Sequence, residues 1–185
     1  MNPINSTNCV NHVNQINHIS WFAIWTRYRH EDLVREQLEQ KEFETFLPKV
    51  QALSKRKDRR KMIQKPLFPG YLFARTELNP GNYLKIIKCQ GVVRVLGYRE
   101  DYKAFVSDDV IESIRRMVRG EAPVNVHPTV IKGDSVRIIG GPLDGCVGTV
   151  IEIRGDRHLV VAVELLSRSV SVVLSPGTTV LPTYH

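Results

Sequence analysis

Cysteine is scarce in this chain: Cys9, Cys89 and Cys146 are odd in number, far apart and in no Cys-x-x-Cys arrangement. That excludes a disulfide framework and any readable zinc site, and leaves packed, idle thiols as the expectation. The six histidines form neither a His-Glu-x-x-His element nor another paired ligand spacing, so no metal and no cofactor is expected. Long apolar runs are also lacking, and no stretch approaches the roughly 20 residues that span a bilayer. The first twenty residues have neither the basic nor the continuous apolar region of a secretory signal. The expectation is a cytoplasmic protein with no membrane partner. Serine and histidine are present, but nothing forms a nucleophile elbow or a nucleotide-binding turn, and the acids are dispersed. A non-enzymatic binding protein is therefore expected.

What the chain does have is an uneven charge. Its net charge is +7 over 185 residues. From Trp21 to Gly120 there are 21 Lys/Arg against 13 Asp/Glu, giving +8, whereas from Glu121 onward there are 5 against 6, giving −1. The basic excess lies in the first part, and a polyanion partner for that part follows on electrostatic grounds.

Asparagine recurs at positions 2, 5, 8, 11, 14 and 17, with Val10, Val13, Ile16 and Ile19 in the same period of three. That period fits neither helix nor strand. Residues 1–19 are expected to be a disordered Asn-rich leader, or the product of a start codon upstream of the real one. Residues 20–119 form the first expected domain, in the order β-α-β-β-α-β-α. "WFAIWTRYRH" carries apolar residues on both faces and predicts a central strand. "HEDLVREQLEQK" predicts a helix with Leu33, Val34 and Leu38 on one side. "ETFLP" and "PLFPGYLFAR" predict strands on either side of the charged segment "KRKDRRKMIQK". Asn79-Pro80 caps a second helix, "GVVRVLGY" is a fourth strand, and Ser107 caps a third helix with Asp108 and Asp109 in its first turn. Val110, Ile114, Met117 and Val118 make that helix's apolar stripe.

Residues 120–128, "GEAPVNVHP", predict a linker. Residues 129–185 predict a small five-stranded β-barrel from "DSVRII", "VGTVIEI", "HLVVAVEL", "SVSVVL" and "TTVLP". The fold class is α+β: an antiparallel sheet flanked by helices, then the barrel. The β-branched residues of "HLVVAVEL" and "SVSVVL" favour strands over helix.

The segment "KGDSVRIIGGPLDGCVGTVIEI" is no phosphate loop, because no Lys-Ser/Thr follows Gly145 and a strand comes next. It resembles the KOW motif of ribosomal proteins and of NusG-family transcription elongation factors, with Gly133, Gly141, Gly145 and Gly148 as its structural glycines. "PLFPGYLFAR" and "WFAIWTRYRHEDLVREQLEQK" resemble the N-terminal (NGN) domain of the same family. Domain, linker and KOW barrel together cover residues 21–182, and the wording is most like the specialised antitermination paralogues of the RfaH and UpxY types. General NusG, acting at most genes and with Rho, is the alternative within the family. A ribosomal or RNA-binding KOW protein is the alternative outside it.

The resemblance implies partners and sites. Phe68, Tyr71 and Phe73 inherit docking onto the clamp of RNA polymerase core, with partial exposure expected of such anchors and Leu72 left to the core. Arg27, Tyr28, Arg29 and His30 inherit contact with the non-template DNA strand, or else form a solvated strand end. Lys55, Arg56, Lys57, Arg59, Arg60 and Lys61 read as a hairpin tip that binds phosphates without reading sequence, although a nuclear import signal or a solvated loop has the same composition. Leu165, Leu166 and Arg168 correspond to the segment that binds ribosomal protein S10 or Rho, or else form an ordinary hairpin. There the family's Phe-Gly pair is replaced by Leu166-Ser167. Suppression of pausing or termination, recruitment of a second machine through the barrel, and a monomeric protein complete the expectation.

Overall fold

Apolar residues on both faces make β1 (Ile19–Thr26) an interior strand, as its sequence predicts. Trp21, Phe22, Ala23 and Ile24 are all buried, and the strand lies between β5 (Tyr71–Glu77) and β6 (Val92–Val95). The computed structural model describes residues 19–53, 61–99, 102–120, 122–127, 133–153 and 155–183. Contacts divide these into two compact units, one ending at Phe105 and the other beginning at Val106. Residues 1–18 of the expected leader lie outside the described residues, and Ile19, read as its last residue, already pairs with Glu77.

The first unit is built on an antiparallel sheet of order β2-β5-β1-β6, with β2 spanning Glu44–Phe46. On one face Phe22, Ile24, Leu72, Ala74 and Val95 pack with Val34 and Leu38 of α1 (Glu31–Glu39) and Ile86 of α2 (Pro80–Ile87). Leu72 is thus core. Leu33 is not on the buried side of α1, contrary to the periodic reading; it is largely exposed. Asn79 caps α2 as its sequence predicts, its side chain accepting from Asn82 N–H at 2.8 Å.

Two strands were hidden beside the charged segment. β3 (Lys49–Leu53) and β4 (Met62–Pro66) pair from Lys49↔Pro66 to Leu53↔Met62, and residues 54–60 between them lie outside the described residues. A short hairpin of β7 (Tyr98–Arg99) and β8 (Tyr102–Lys103) follows the fourth predicted strand.

The second unit begins with α3 (Asp108–Arg119), capped by Ser107, whose hydroxyl accepts from Val110 N–H at 3.4 Å. Its buried face is Val110, Ile111, Ser113, Ile114 and Met117, wider than the single stripe expected. The sequence predicts this helix at the end of the first domain, yet it groups with the C-terminal sheet. The physical reason is a set of specific contacts. Ser113 Oγ accepts from Val147 N–H at 2.9 Å, Arg116 donates to the Asp144 carbonyl, and Arg137 lies 3.7 Å from Asp109. The buried Cys146 donates to the Ser113 carbonyl at 3.8 Å; burial pushes its thiol up, against the pull of Arg116, and keeps it neutral.

The C-terminal sheet has six strands rather than five, in the order β14-β10-β11-β12-β13-β9. The five expected strands are β10 (Ser135–Ile139), β11 (Val147–Ile153), β12 (Asp156–Val163), β13 (Arg168–Val173) and β14 (Thr179–Pro182). The sixth, β9 (Val124–His127), lies inside the stretch read as linker and pairs with β13 from Val124↔Val172 to His127↔Ser169. Gly148 shows why the KOW glycines matter: a Cβ there would lie 2.4 Å from the Val160 carbonyl on the neighbouring strand. Gly141 and Gly145, at φ +73 and +75, shape the loop between β10 and β11, and Gly133 lies against Thr149.

Candidate functional site

Strand β5 carries the aromatic residues in question, and the turn before it fixes where they go. Phe68-Pro69-Gly70-Tyr71 is closed by Tyr71 N–H donating to the Phe68 carbonyl at 3.0 Å, with Gly70 at φ +84. That is a type II turn, which takes proline at its second position and glycine at its third. Beyond it, side chains alternate: Tyr71 and Phe73 share a face with Trp25 and Ala23, their partners on β1.

The two ends of that face differ. Phe68 and Phe73 are fully buried, with Phe68 edge-on to Phe73 at 6.1 Å, Phe46 stacked on Phe73 at 6.1 Å and Trp21 edge-on to Phe46 at 6.4 Å. These separations and angles are those of a stabilising ring cluster. The partial exposure expected of all three aromatics therefore holds for Tyr71 alone, which is half-buried. Next to it lies Trp25, 38% exposed, with the Arg94 guanidinium 5.2 Å from its ring centre. Trp25 pairs with both Tyr71 and Arg94 across three strands. We call this end of the sheet the rim.

The basic turn continues from the rim. Arg27 and Arg29 are exposed, Tyr28 is 68% exposed and His30 is half-buried. Arg29 sits in the left-handed region at φ +64, and its guanidinium lies 5.4 Å from the Tyr28 ring centre. The turn is held by Arg27 N–H donating to the Gly91 carbonyl at 2.8 Å and His30 N–H donating to the Arg27 carbonyl at 3.0 Å. A Cβ on Gly91 would meet His30 Cβ at 2.8 Å, so the bend needs glycine there. The rim and this turn together present aromatic faces and cations side by side, a surface suited to stacking and to phosphate contact.

Of the hairpin cluster, Lys61 is described and exposed, while Lys55, Arg56, Lys57, Arg59 and Arg60 lie outside the described residues. In the second unit Leu165 and Leu166 close a 3-10 turn (Glu164–Leu166), and Arg168 opens β13. Leu165 and Arg168 are half-buried, but Leu166 is buried and belongs to the interior. Ser167 stands at φ +51, in the left-handed region that favours glycine.

Sequence reasoning missed Trp25 and Arg94 as surface residues. Trp25 reads as one more apolar position of a covered strand; its signal is its place, the last outward residue before the basic turn. Arg94 is the one cation in the apolar stretch "GVVRVLG".

The family model described as "Transcription termination factor nusG" matches residues 19–115. A Thermus thermophilus protein, "Transcription termination/antitermination protein NusG", is 27% identical over 84% of this chain and 95% of its own length. The Pseudomonas aeruginosa protein of the same description is 26% identical over 71% and 75%. A solved structure described as "Domain interaction in Thermotoga maritima NusG" shares the fold, with a TM-score of 0.50 and 23% identity over 85% of this chain and 93% of that one. The matched residues run through β1, the basic turn, the type II turn and the rim, and the chain belongs to the NusG family.

Proposed function

We propose that this transcription termination/antitermination factor docks its rim on the clamp of RNA polymerase core and lays its basic turn on the non-template DNA strand. One observation carries this reading: Trp25, Tyr28 and Tyr71 leave aromatic surface accessible at one end of the sheet, beside Arg27, Arg29 and Arg94. Partly desolvated aromatics with arginine are the usual anchors of a protein interface. The exposed Tyr28 supplies a stacking face for an unpaired base, worth roughly 1 to 3 kcal/mol. A ligand that prefers the closed clamp shifts the enzyme away from the rearrangements that pausing needs. The C-terminal domain, through Leu165 and Arg168, then recruits ribosomal protein S10 or Rho, with the connection raising the effective concentration of the second partner. The specialised RfaH/UpxY type of action is the form of the proposal favoured by "PLFPGYLF".

A second reading has its own observation. The rim interleaves aromatics with arginines, as single-stranded RNA binders do, so a ribosomal or other RNA partner fits the same surface. Pull-down with the purified protein separates the two. Retention of polymerase core with no ribosomal particles supports the first reading, and retention of ribosomal particles without polymerase supports the second.

A further inference from the structure

Glu31 is the first residue of α1 and is only 4% exposed. An acid at a helix N-terminus complements the dipole from the surface too, without the cost of burial, as Asp32 does with its side chain 51% exposed. A carboxylate this buried is costly unless hydrogen bonds compensate it. Glu31 has such a bond: Oε1 accepts from the backbone N–H of Gly70 at 2.7 Å, in a buried setting. The other side of Gly70 is held as well, its carbonyl accepting from Thr26 N–H at 2.8 Å.

These bonds join two turns that the sequence places far apart. Gly70 is the left-handed corner of the type II turn that aims Tyr71 at the rim. Glu31 directly follows His30, the last residue of the basic turn, whose opposite flank is held by the Gly91 carbonyl. We propose that Glu31 is a positioning residue that locks the Tyr71 turn to the Arg27–His30 turn, so that the protein-docking rim and the nucleic-acid-contacting turn are presented in one fixed geometry. The identity of the two partners rests on the function proposed above, whereas the lock does not. Glu31 touches neither partner in this account and acts through Gly70.

The test compares Glu31→Ala, which removes the acceptor, with Glu31→Gln, which keeps an oxygen in place. The first readout is amide exchange and chemical shift in the free protein. Glu31→Ala should speed exchange at Gly70 about tenfold or more, as expected for a buried donor that loses its acceptor. It should also shift the amides of residues 27–30 and 71 together, and Glu31→Gln should restore both. The second readout is affinity for a reconstituted polymerase elongation complex and for a single-stranded DNA oligonucleotide. Both should fall about tenfold in Glu31→Ala and recover in Glu31→Gln. Leu38→Ala, which destabilises the same unit without touching Gly70, should leave the bound affinities of the folded fraction unchanged. Unaltered Gly70 exchange in Glu31→Ala, or failure of Glu31→Gln to restore what Glu31→Ala loses, overturns the lock. If Glu31→Ala does not fold, Gly70 exchange in Glu31→Gln decides: protection supports the lock, and free exchange overturns it. Should the free-protein shifts appear as expected while the wild type binds no polymerase, the lock stands and the assignment of its partner falls.

Discussion

Tyr71 and Phe73 are two residues apart on one strand and one face, yet they live in different environments. Phe73 is fully buried in contact with the rings of Phe46 and Phe68, while Tyr71 reaches the rim beside the exposed Trp25. The second unit repeats the contrast in adjacent residues, with Leu166 buried and Leu165 half-buried. A segment that resembles a docking site is therefore not uniformly exposed: one part builds the platform, and in the proposed function only the other meets a partner.

The largest test of that division is Phe73→Ala, which should destabilise the first unit by about 3–5 kcal/mol, the cost of emptying a packed aromatic site. Denaturant titration followed by tryptophan fluorescence measures it, and a loss under about 1 kcal/mol would move Phe73 out of the platform. Leu166→Ala should cost the second unit, which has no tryptophan, about 2–4 kcal/mol in a denaturant titration followed by far-ultraviolet circular dichroism. Leu165→Ala, by contrast, should stay within about 1 kcal/mol and show its effect on partner binding. The double change Trp25→Ala/Tyr71→Ala comes next, with about 2 kcal/mol lost from binding. Smallest is Ser167→Gly, which relieves a left-handed non-glycine residue and should raise the stability of the second unit by about 1 kcal/mol. No gain in midpoint would mean that the Ser167 side chain compensates the strain.

Much of this was legible from local chemistry. Asn79 and Ser107 announced their helix caps, and the two-faced apolar pattern of Trp21–Ile24 announced an interior strand. Such features depend on a few neighbouring residues. What depends on tertiary context was not legible. Alternation assigns a side chain to a face but not to a depth, so Tyr71 and Phe73 looked alike. β9 is too short and too close to prolines to reveal that Val124–His127 finds a partner in β13. β3 and β4 were masked by the polar residues that separate their apolar ones. The attachment of α3 rests on Ser113, an inconspicuous residue whose hydroxyl meets Val147 N–H. Arg94 gained meaning only when β6 paired with β1 and brought it over Trp25.

In the proposed function the rim, and not the ring cluster beneath it, meets the polymerase. The most direct measurement is the affinity of wild-type protein and of Trp25→Ala/Tyr71→Ala for a reconstituted elongation complex, with the unfolding midpoint of each recorded alongside. The wild type should bind, and the double variant should lose about 2 kcal/mol of binding, roughly thirtyfold, while its unfolding midpoint stays near that of the wild type. Equal binding by the two proteins, or no binding by either, would contradict it.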